Sequence, residues 1–425
     1  MWTDPGNTAV RGDGNGKRFE RHVLVIGAAA FVTAFSQMET IGLLPVRFLL
    51  KGDFHITMEE MSLFMLVANL GWYLKPVAGL ISDSIPLFGT RRRHYLMLSA
   101  AGGGICWAVI GLIPRCYFSV LLAAVILNLM LVFASTVMGG LLVEDAHKFG
   151  APGRLSSLRE GVTLLATSMG IVFGGYLATS WFGWVTLTGA LPLLALALIV
   201  YLYLQEKPSR LPKREDAWVE SKEKLSTLFH SDTLMTAGAL LFLFYLAPGF
   251  SSALYYIQTD TLKFTQKFIG WQAVLGGVAG MVGTLVYARA CKTIPLRLLL
   301  ICGIALSGAC TLFYIYYQSR GSALLITASS GLLSTFGVLP LFDLATRATP
   351  KGCESLGFAL MMSVRNLAVA CADWIGSWLM QYQHWNFSSL VIINAATTLL
   401  VLAALPFLPR TLLTRSETEL TPEDR

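Results

Sequence analysis

Apolar runs long enough to form a helix recur along most of the chain, separated by short polar segments rich in Arg, Lys, Pro and Gly. Crossing the hydrocarbon core of a bilayer takes about 20 apolar residues in a helix. On that measure the pattern predicts twelve crossings, at 22–44, 60–82, 94–114, 117–140, 157–180, 184–204, 233–257, 269–290, 297–318, 322–345, 355–380 and 388–408. None of these runs alternates with period two, so a closed β-barrel is excluded. The expectation is an all-α polytopic membrane protein.

Composition removes the main competing class. Of 425 residues, 55% are hydrophobic and 13% charged, with a mean hydropathy of +0.61. An ordinary soluble domain carries about 25% charged residues and could not hide so much apolar surface. The net charge of +7 points to nucleic acid only if the basic residues gather in one place. They do not: with the first tail inside, 24 of the 32 fall in inner segments or within three residues of an inner span end, and 6 in outer loops. That is a positive-inside signal, which puts both termini in the cytoplasm. No nucleic-acid partner is implied; the partner is the bilayer. The seven cysteines form no CxxC pair and behave as small hydrophobes, and the six histidines lie at or beyond the ends of apolar runs. No metal site and no cofactor is indicated. Residues 1–21 lack a signal-peptide core and read as a cytoplasmic tail. The expected location is the plasma or inner membrane of a cell.

The longest polar interval, 205–232, sits at the midpoint and reads as a cytoplasmic linker. It divides a six-helix bundle at 22–204 from a second at 233–408, with a cytoplasmic tail at 409–425. Trp218, Leu225, Leu228 and Phe229 share one side of a possible short helix there, as if it lay on the membrane surface. A weak internal repeat supports the division: Glu144 corresponds to Asp343, Pro152 to Pro350 and Leu158 to Leu356. Two repeats around a midplane cavity are the plan of a rocking carrier.

Residues 70–96 carry the most informative motif. Asp83, Gly89 and Arg91, Arg92 and Arg93 set an acid and a basic cluster in a tight Pro/Gly turn. Such a turn can bond a facing helix end in one conformation and release it in another. The pattern resembles the loop of the major facilitator superfamily. The same segment is similar to the folate/biopterin transporter family within it, through Lys75-Pro76, Gly79, Ser82-Asp83, Pro86, Gly89, Arg91-Arg92 and Tyr95. Three further stretches carry the resemblance: Leu50-Lys51-Gly52-Asp53; Pro248 with Ser251-Ser252-Ala253, Phe264 and Phe268-Ile269-Gly270; and Pro340, Pro350, Glu354, Phe358-Ala359-Leu360, Ser363 and Asn366. The chain also departs from the family. Val143-Glu144 is kept, but two fourth-span aspartates of the family fall on Ser135 and Gly139, and a Gln and a Trp fall on Ser156 and Glu160.

Ionisable residues inside a bilayer cost at least ~2.5 to 3.5 kcal/mol each on insertion scales, which makes them functional candidates. Glu39, Lys75, Arg365 and Asp373 lie within spans. Lys75 is within reach of snorkelling to the inner interface, so anchoring competes with binding there. Asp373 follows Arg365 by eight residues, ~80° around the helix and ~12 Å along it, so each needs a separate partner or a water-filled cavity. Glu39 is near enough to the outer interface to be solvated. If buried, Glu39 or Asp373 is a candidate proton-coupling site. Gln37, Asn69, Asn128, Gln272 and Asn366 either line a cavity or bond neighbouring helices. Trp72, Tyr73, Phe250, Tyr255, Tyr256 and Trp374 suit either stacking on a flat ring or packing toward lipid. Gly170-x-x-x-Gly174 and Gly276-x-x-x-Gly280 either form a seam between the two halves or pack within each. Pro248-Gly249 interrupts the seventh span.

The resemblance implies a twelve-helix major facilitator fold that moves folate, pterin or a related flat organic anion by alternating access, with protons as the coupling ion. On this reading Lys75, Arg365, Asn366, Asn128 and Gln37 hold the solute, and Glu39 or Asp373 handles protons. Asp83, Arg91, Arg92, Arg93 and Glu144 form the cytoplasmic gate. A carrier of another small organic solute, or a ligand-binding sensor without flux, stays open. A membrane enzyme lacks its machinery: Cys353 beside Glu354 has no histidine in the same loop.

Overall fold

The computed structural model describes residues 9–149, 152–206, 214–350 and 353–408. In chain order the helices are α1 (Ala9–Phe35), α2 (Leu43–Gly52), α3 (Met58–Ala68), α4 (Leu70–Tyr73), α5 (Lys75–Ser84), α6 (Arg93–Leu112), α7 (Tyr117–Phe149), α8 (Pro152–Leu177) and α9 (Phe182–Tyr203). A linker helix, α10 (Arg214–Phe229), leads to α11 (Asp232–Tyr245), α12 (Ser251–Tyr256), α13 (Gln266–Thr293), α14 (Leu296–Thr311), α15 (Arg320–Ala348), α16 (Glu354–Tyr382) and α17 (Phe387–Leu400). Among the described residues there is no strand.

Eight of these helices are long and apolar enough to span a membrane, and α10 with α11, bent by 70°, forms a ninth candidate. The other expected spans, 22–44, 60–82 and 157–180, fall on helices that are broken, polar or short. Large apolar side chains cover the outside: Leu112 is 85% exposed, Phe118 77% and Leu325 74%. In water that would be an aggregation surface, whereas in a bilayer it is the lipid belt.

Two hydrophobic cores mark two bundles. One is built on α1 to α9 and reaches across to Tyr255, Phe264 and Ile269; the other joins Leu228, α11, α14, α15 and α16. Leu228, expected on a membrane-surface helix, is instead fully buried in the second core, so α10 ties the linker to that bundle while also touching α5. The bundles meet along α8 against α13, and along α16 against α3, α4 and α5.

Three expected spans are interrupted, two of them at a proline. The second breaks at Asn69 and again at Leu74, just before Lys75-Pro76. Pro76 has no N–H to give the Trp72 carbonyl four residues back. The Ser363 hydroxyl of α16, which donates to Ala359 O at 3.0 Å, shares its hydrogen with that carbonyl at 3.4 Å. The seventh breaks over 246–250 around Pro248-Gly249. There Asn394 donates to the Pro248 carbonyl at 2.9 Å, and the Gly249 N–H donates to Ala372 O at 2.8 Å. The approach is so close that a Cβ on Gly376 would lie 1.7 Å from the Gly249 carbonyl oxygen. The first span ends at Phe35 and resumes as α2 after residues 36–42. Breaks at membrane depth are tolerated only against protein or a water-filled cavity, and these three surround one.

The glycine pairs serve their own bundles. Gly170 and Gly174 face Thr40 and Ile41, and Gly276 and Gly280 face Thr327 and Gly331. The seam between bundles is made by Gly175 against Gly270.

Candidate functional site

Between the bundles lies a cavity of roughly 400 Å³. Gln37 and Glu39 come from the break after α1, Arg47 from α2, and Ser62, Met65, Leu66, Asn69, Trp72 and Tyr73 from the broken second span. The second bundle contributes Ser251 and one stripe of α16: Arg365, Asn366, Val369, Ala370 and Asp373. Residues 365, 369 and 373 are one turn apart, so a continuous helix presents all three to the same wall.

Two guanidiniums and two carboxylates give the cavity its electrostatics. Arg365 donates to Asn366 Oδ1 at 3.1 Å, and its guanidinium stands 4.9 Å from the Tyr245 ring centre. Arg47 donates to the Ser251 hydroxyl at 3.1 Å. In both arginines the Nε–H is buried without a hydrogen-bond partner among the described residues. Asp373 is the second acid wall: it accepts the Ser252 backbone N–H at 2.9 Å and the Ser252 hydroxyl at 2.6 Å. Its carboxylate thus caps the N-terminus of α12 from another helix. Glu39 accepts from Asn69 Nδ2 at 2.6 Å.

Of the residues expected to bind a solute, Gln37, Arg365 and Asn366 line this cavity. Asn128 stands behind the wall, fully buried. It donates to Ala68 O at 2.8 Å and accepts from Trp72 Nε1 at 3.3 Å, which fixes the Asn69 break. Lys75 begins α5 below Trp72, with its ammonium 5.6 Å from that ring's centre, and is not on the wall. At Gly139 a side chain would enter open space. The side chains of Ser156 and Glu160 lie outside the described residues.

At the linker end, Arg92 pairs with Glu144 at 2.9 Å. The backbone N–H groups of Arg91, Arg92 and Arg93 all donate to the Glu206 carboxylate, at 2.9 to 3.0 Å, and Arg93 reaches Tyr201 O. These bonds tie α6, α7 and α9 within the first bundle. The side chain of Asp83 lies outside the described residues. In the second bundle Arg347 pairs with Asp343, the repeat counterpart of Glu144, at 2.9 Å.

The opposite end carries contacts that cross between bundles. Lys51 of α2 bonds Thr259 and Asp260 on the π-helical turn after α12, and its ammonium lies 4.3 Å from the Tyr256 ring centre. Tyr256 donates to Ile56 O, and Trp374 donates to Glu59 at 2.8 Å. Arg47, Asp260 and Glu206 have no part in the sequence motifs, and Lys51 enters there only within Leu50-Lys51-Gly52-Asp53. Arg47 and Lys51 counted as outer-loop charges, although their four-residue spacing on an apolar helix was a usable signal. Among the described residues no group of three or more His, Cys, Asp or Glu could hold a metal.

A membrane protein of two helical bundles, broken helices at the seam and a charged cavity between them is a carrier by architecture. Solved structures agree on the fold. A nucleoside transporter, NupG, superposes with a TM-score of 0.71 at 9% identity, covering 91% of this chain and 99% of that one. A D-xylose-proton symporter gives 0.68 at 15%, covering 92% and 98%. The fold is that of the major facilitator superfamily. Residues 38–422 match the sequence model of the BT1 family, and the chain belongs to that family. It is similar to a folate-biopterin transporter of Synechocystis sp., 29% identical over 92% of this chain and 85% of that protein. Folate transporter 2 of Plasmodium falciparum is 25% identical over 86% and 84%. The protein is therefore a multi-pass membrane transporter and not an enzyme.

Proposed function

We propose that the protein carries a folate- or pterin-type flat anion by alternating access, coupled to protons, across the plasma or inner membrane with both termini in the cytoplasm. The observation that carries this reading is the pair of guanidiniums, Arg47 and Arg365, that face one cavity from opposite bundles. A carboxylate or a ring carbonyl beside a ring nitrogen matches the planar donor edge of a guanidinium. Trp72 and Tyr73 on the same wall supply faces for a flat heterocycle. The names of the relatives from Synechocystis and Plasmodium agree with that chemistry. Glu39 and Asp373, on the same cavity, are the carboxylates placed to exchange a proton as the solute binds. The ends of the cavity would open in turn: Arg92–Glu144 and the Glu206 cap hold the linker end as one body while the Lys51–Asp260 contact releases the other.

The test is uptake of folate and of biopterin into vesicles reconstituted with the purified protein, with and without an imposed pH gradient. Gradient-accelerated uptake of either compound is expected, and Arg365→Gln should reduce uptake of folate by about tenfold or more at subsaturating concentration. Absence of uptake of both under every gradient would remove the substrate claim.

A further inference from the structure

We propose that a second chamber, inside the C-terminal bundle, receives an aromatic ring of the same molecule whose anionic group is held between the bundles. The inference rests on the function proposed above and narrows it to solutes with two ring systems. The chamber measures about 310 Å³ and adjoins the central cavity across Ser251, Val369 and Asp373, which line both. Small-molecule sites span roughly 300 to 1,000 Å³. Each chamber alone stands at the low end of that range; together they fit an elongated solute.

The linings differ in kind. The central cavity holds both arginines, whereas among the described residues the side chamber has no Lys or Arg on its wall. It presents the rings of Phe250 and Tyr314, 5.0 Å apart between centres and tilted by 58°, an arrangement that accepts a third ring edge-on or offset. Two buried hydroxyls on its wall, Ser307 Oγ and Tyr245 Oη, have no hydrogen-bond partner among the described residues and can meet an amide or amine on the ring.

The chamber's origin is in the chain. Because the seventh span stops at Tyr245 and resumes at Ser251, no continuous helix fills the space beside α15. Asn394 already satisfies the exposed carbonyls of Ala247 and Pro248, so the break does not need a ligand to be stable. The space is left for something apolar and flat, attached to a group that stays with Arg365.

The test compares folate, which has a second aromatic ring, with biopterin, which lacks it, by equilibrium binding to the purified full-length protein. Val338→Phe fills the chamber from α15, and Ser334→Phe fills it from one turn earlier on the same wall should the first variant fail to fold. The expected result is at least a tenfold loss of folate affinity with biopterin affinity held within twofold. Unchanged folate binding, or equal loss of both compounds, overturns the chamber assignment and leaves the proposed function standing. Parent protein that binds neither compound overturns both.

Discussion

Asp373 is where capping and proton exchange make separable demands on one side chain. Its carboxylate takes two hydrogen bonds from Ser252, at 2.9 Å from the backbone N–H and 2.6 Å from the hydroxyl. Bonds to a charged acceptor contribute about 1.5–3 kcal/mol each, and loss of a helix cap costs about 0.5–2 kcal/mol. Asp373 is only partly buried, which lowers both figures, so Asp373→Ala should cost about 2–3 kcal/mol. Ser252→Ala keeps the backbone bond and should cost about 1 kcal/mol. Because the two changes remove a shared bond, the double variant should fall short of their sum by about 1 kcal/mol.

Asp373→Asn preserves the shape. Its Oδ1 still accepts the Ser252 N–H, and its Nδ2 can donate to the serine oxygen, so its stability should lie within about 1 kcal/mol of the parent. What asparagine cannot do is take up and release a proton. The assays are thermal unfolding of all four variants in detergent, and folate uptake by Asp373→Asn in vesicles with and without a pH gradient. The Asn variant should melt near the parent and exchange folate, yet gain nothing from the gradient. Gradient-driven uptake that persists in it would reduce Asp373 to a cap and move coupling to Glu39. An Asp373→Ala protein as stable as the parent would refute the capping argument itself.

Three further outcomes follow from other parts of the molecule. Arg365→Gln should weaken folate binding by about tenfold to a hundredfold, and Arg365→Lys should not restore it, because an ammonium lacks the planar donor edge; equilibrium binding reads this directly. Gly376→Ala should destabilise the protein by about 1–3 kcal/mol or more, seen as a lower melting temperature or failed expression, since its Cβ would meet the Gly249 carbonyl oxygen at 1.7 Å. Cys116 is exposed in the turn between α6 and α7, and the Ser119 hydroxyl 3.3 Å from its sulfur holds the thiol below its ordinary range. A membrane-impermeant maleimide should therefore label intact cells at Cys116 and not the Cys116→Ser variant; labelling that needs permeabilised cells would invert the proposed orientation.

What the sequence made legible was whatever stands out against an apolar background. A charge in a 20-residue apolar run is conspicuous, so Glu39, Arg365 and Asp373 could be picked out, and all three line one cavity. The same rule hid Arg47. It lies in a short helix after the first break, and residues 36–42, SQMETIG, contain no proline to announce that break. Pro248-Gly249 did announce the seventh. Long-range pairings were not readable: nothing in the spacing of Glu206 shows that it caps α6 at Arg91 to Arg93. The small-residue spacings marked close approach correctly but not the partner, because each GxxxG pair faces its own bundle and the seam falls to Gly175 and Gly270.

One helix holds the arrangement together. α16 gives a share of the Ser363 hydroxyl to the Trp72 carbonyl that Pro76 leaves free, Ala372 O to the Gly249 N–H, and Asp373 to the start of α12. It therefore supplies partners to two broken spans, one in each bundle, and on its stripe between those contacts it carries Arg365 toward the cavity. A freed backbone group at membrane depth costs several kcal/mol if it loses its partner. A shift of α16 large enough to break these bonds is then opposed at both breaks at once. An anion that engages Arg365 acts on the same rod, so the energy of binding is delivered where the two bundles are joined. That coupling requires α16 to be stiff, and it is: the helix runs unbroken from Glu354 to Tyr382, while the spans it faces are interrupted.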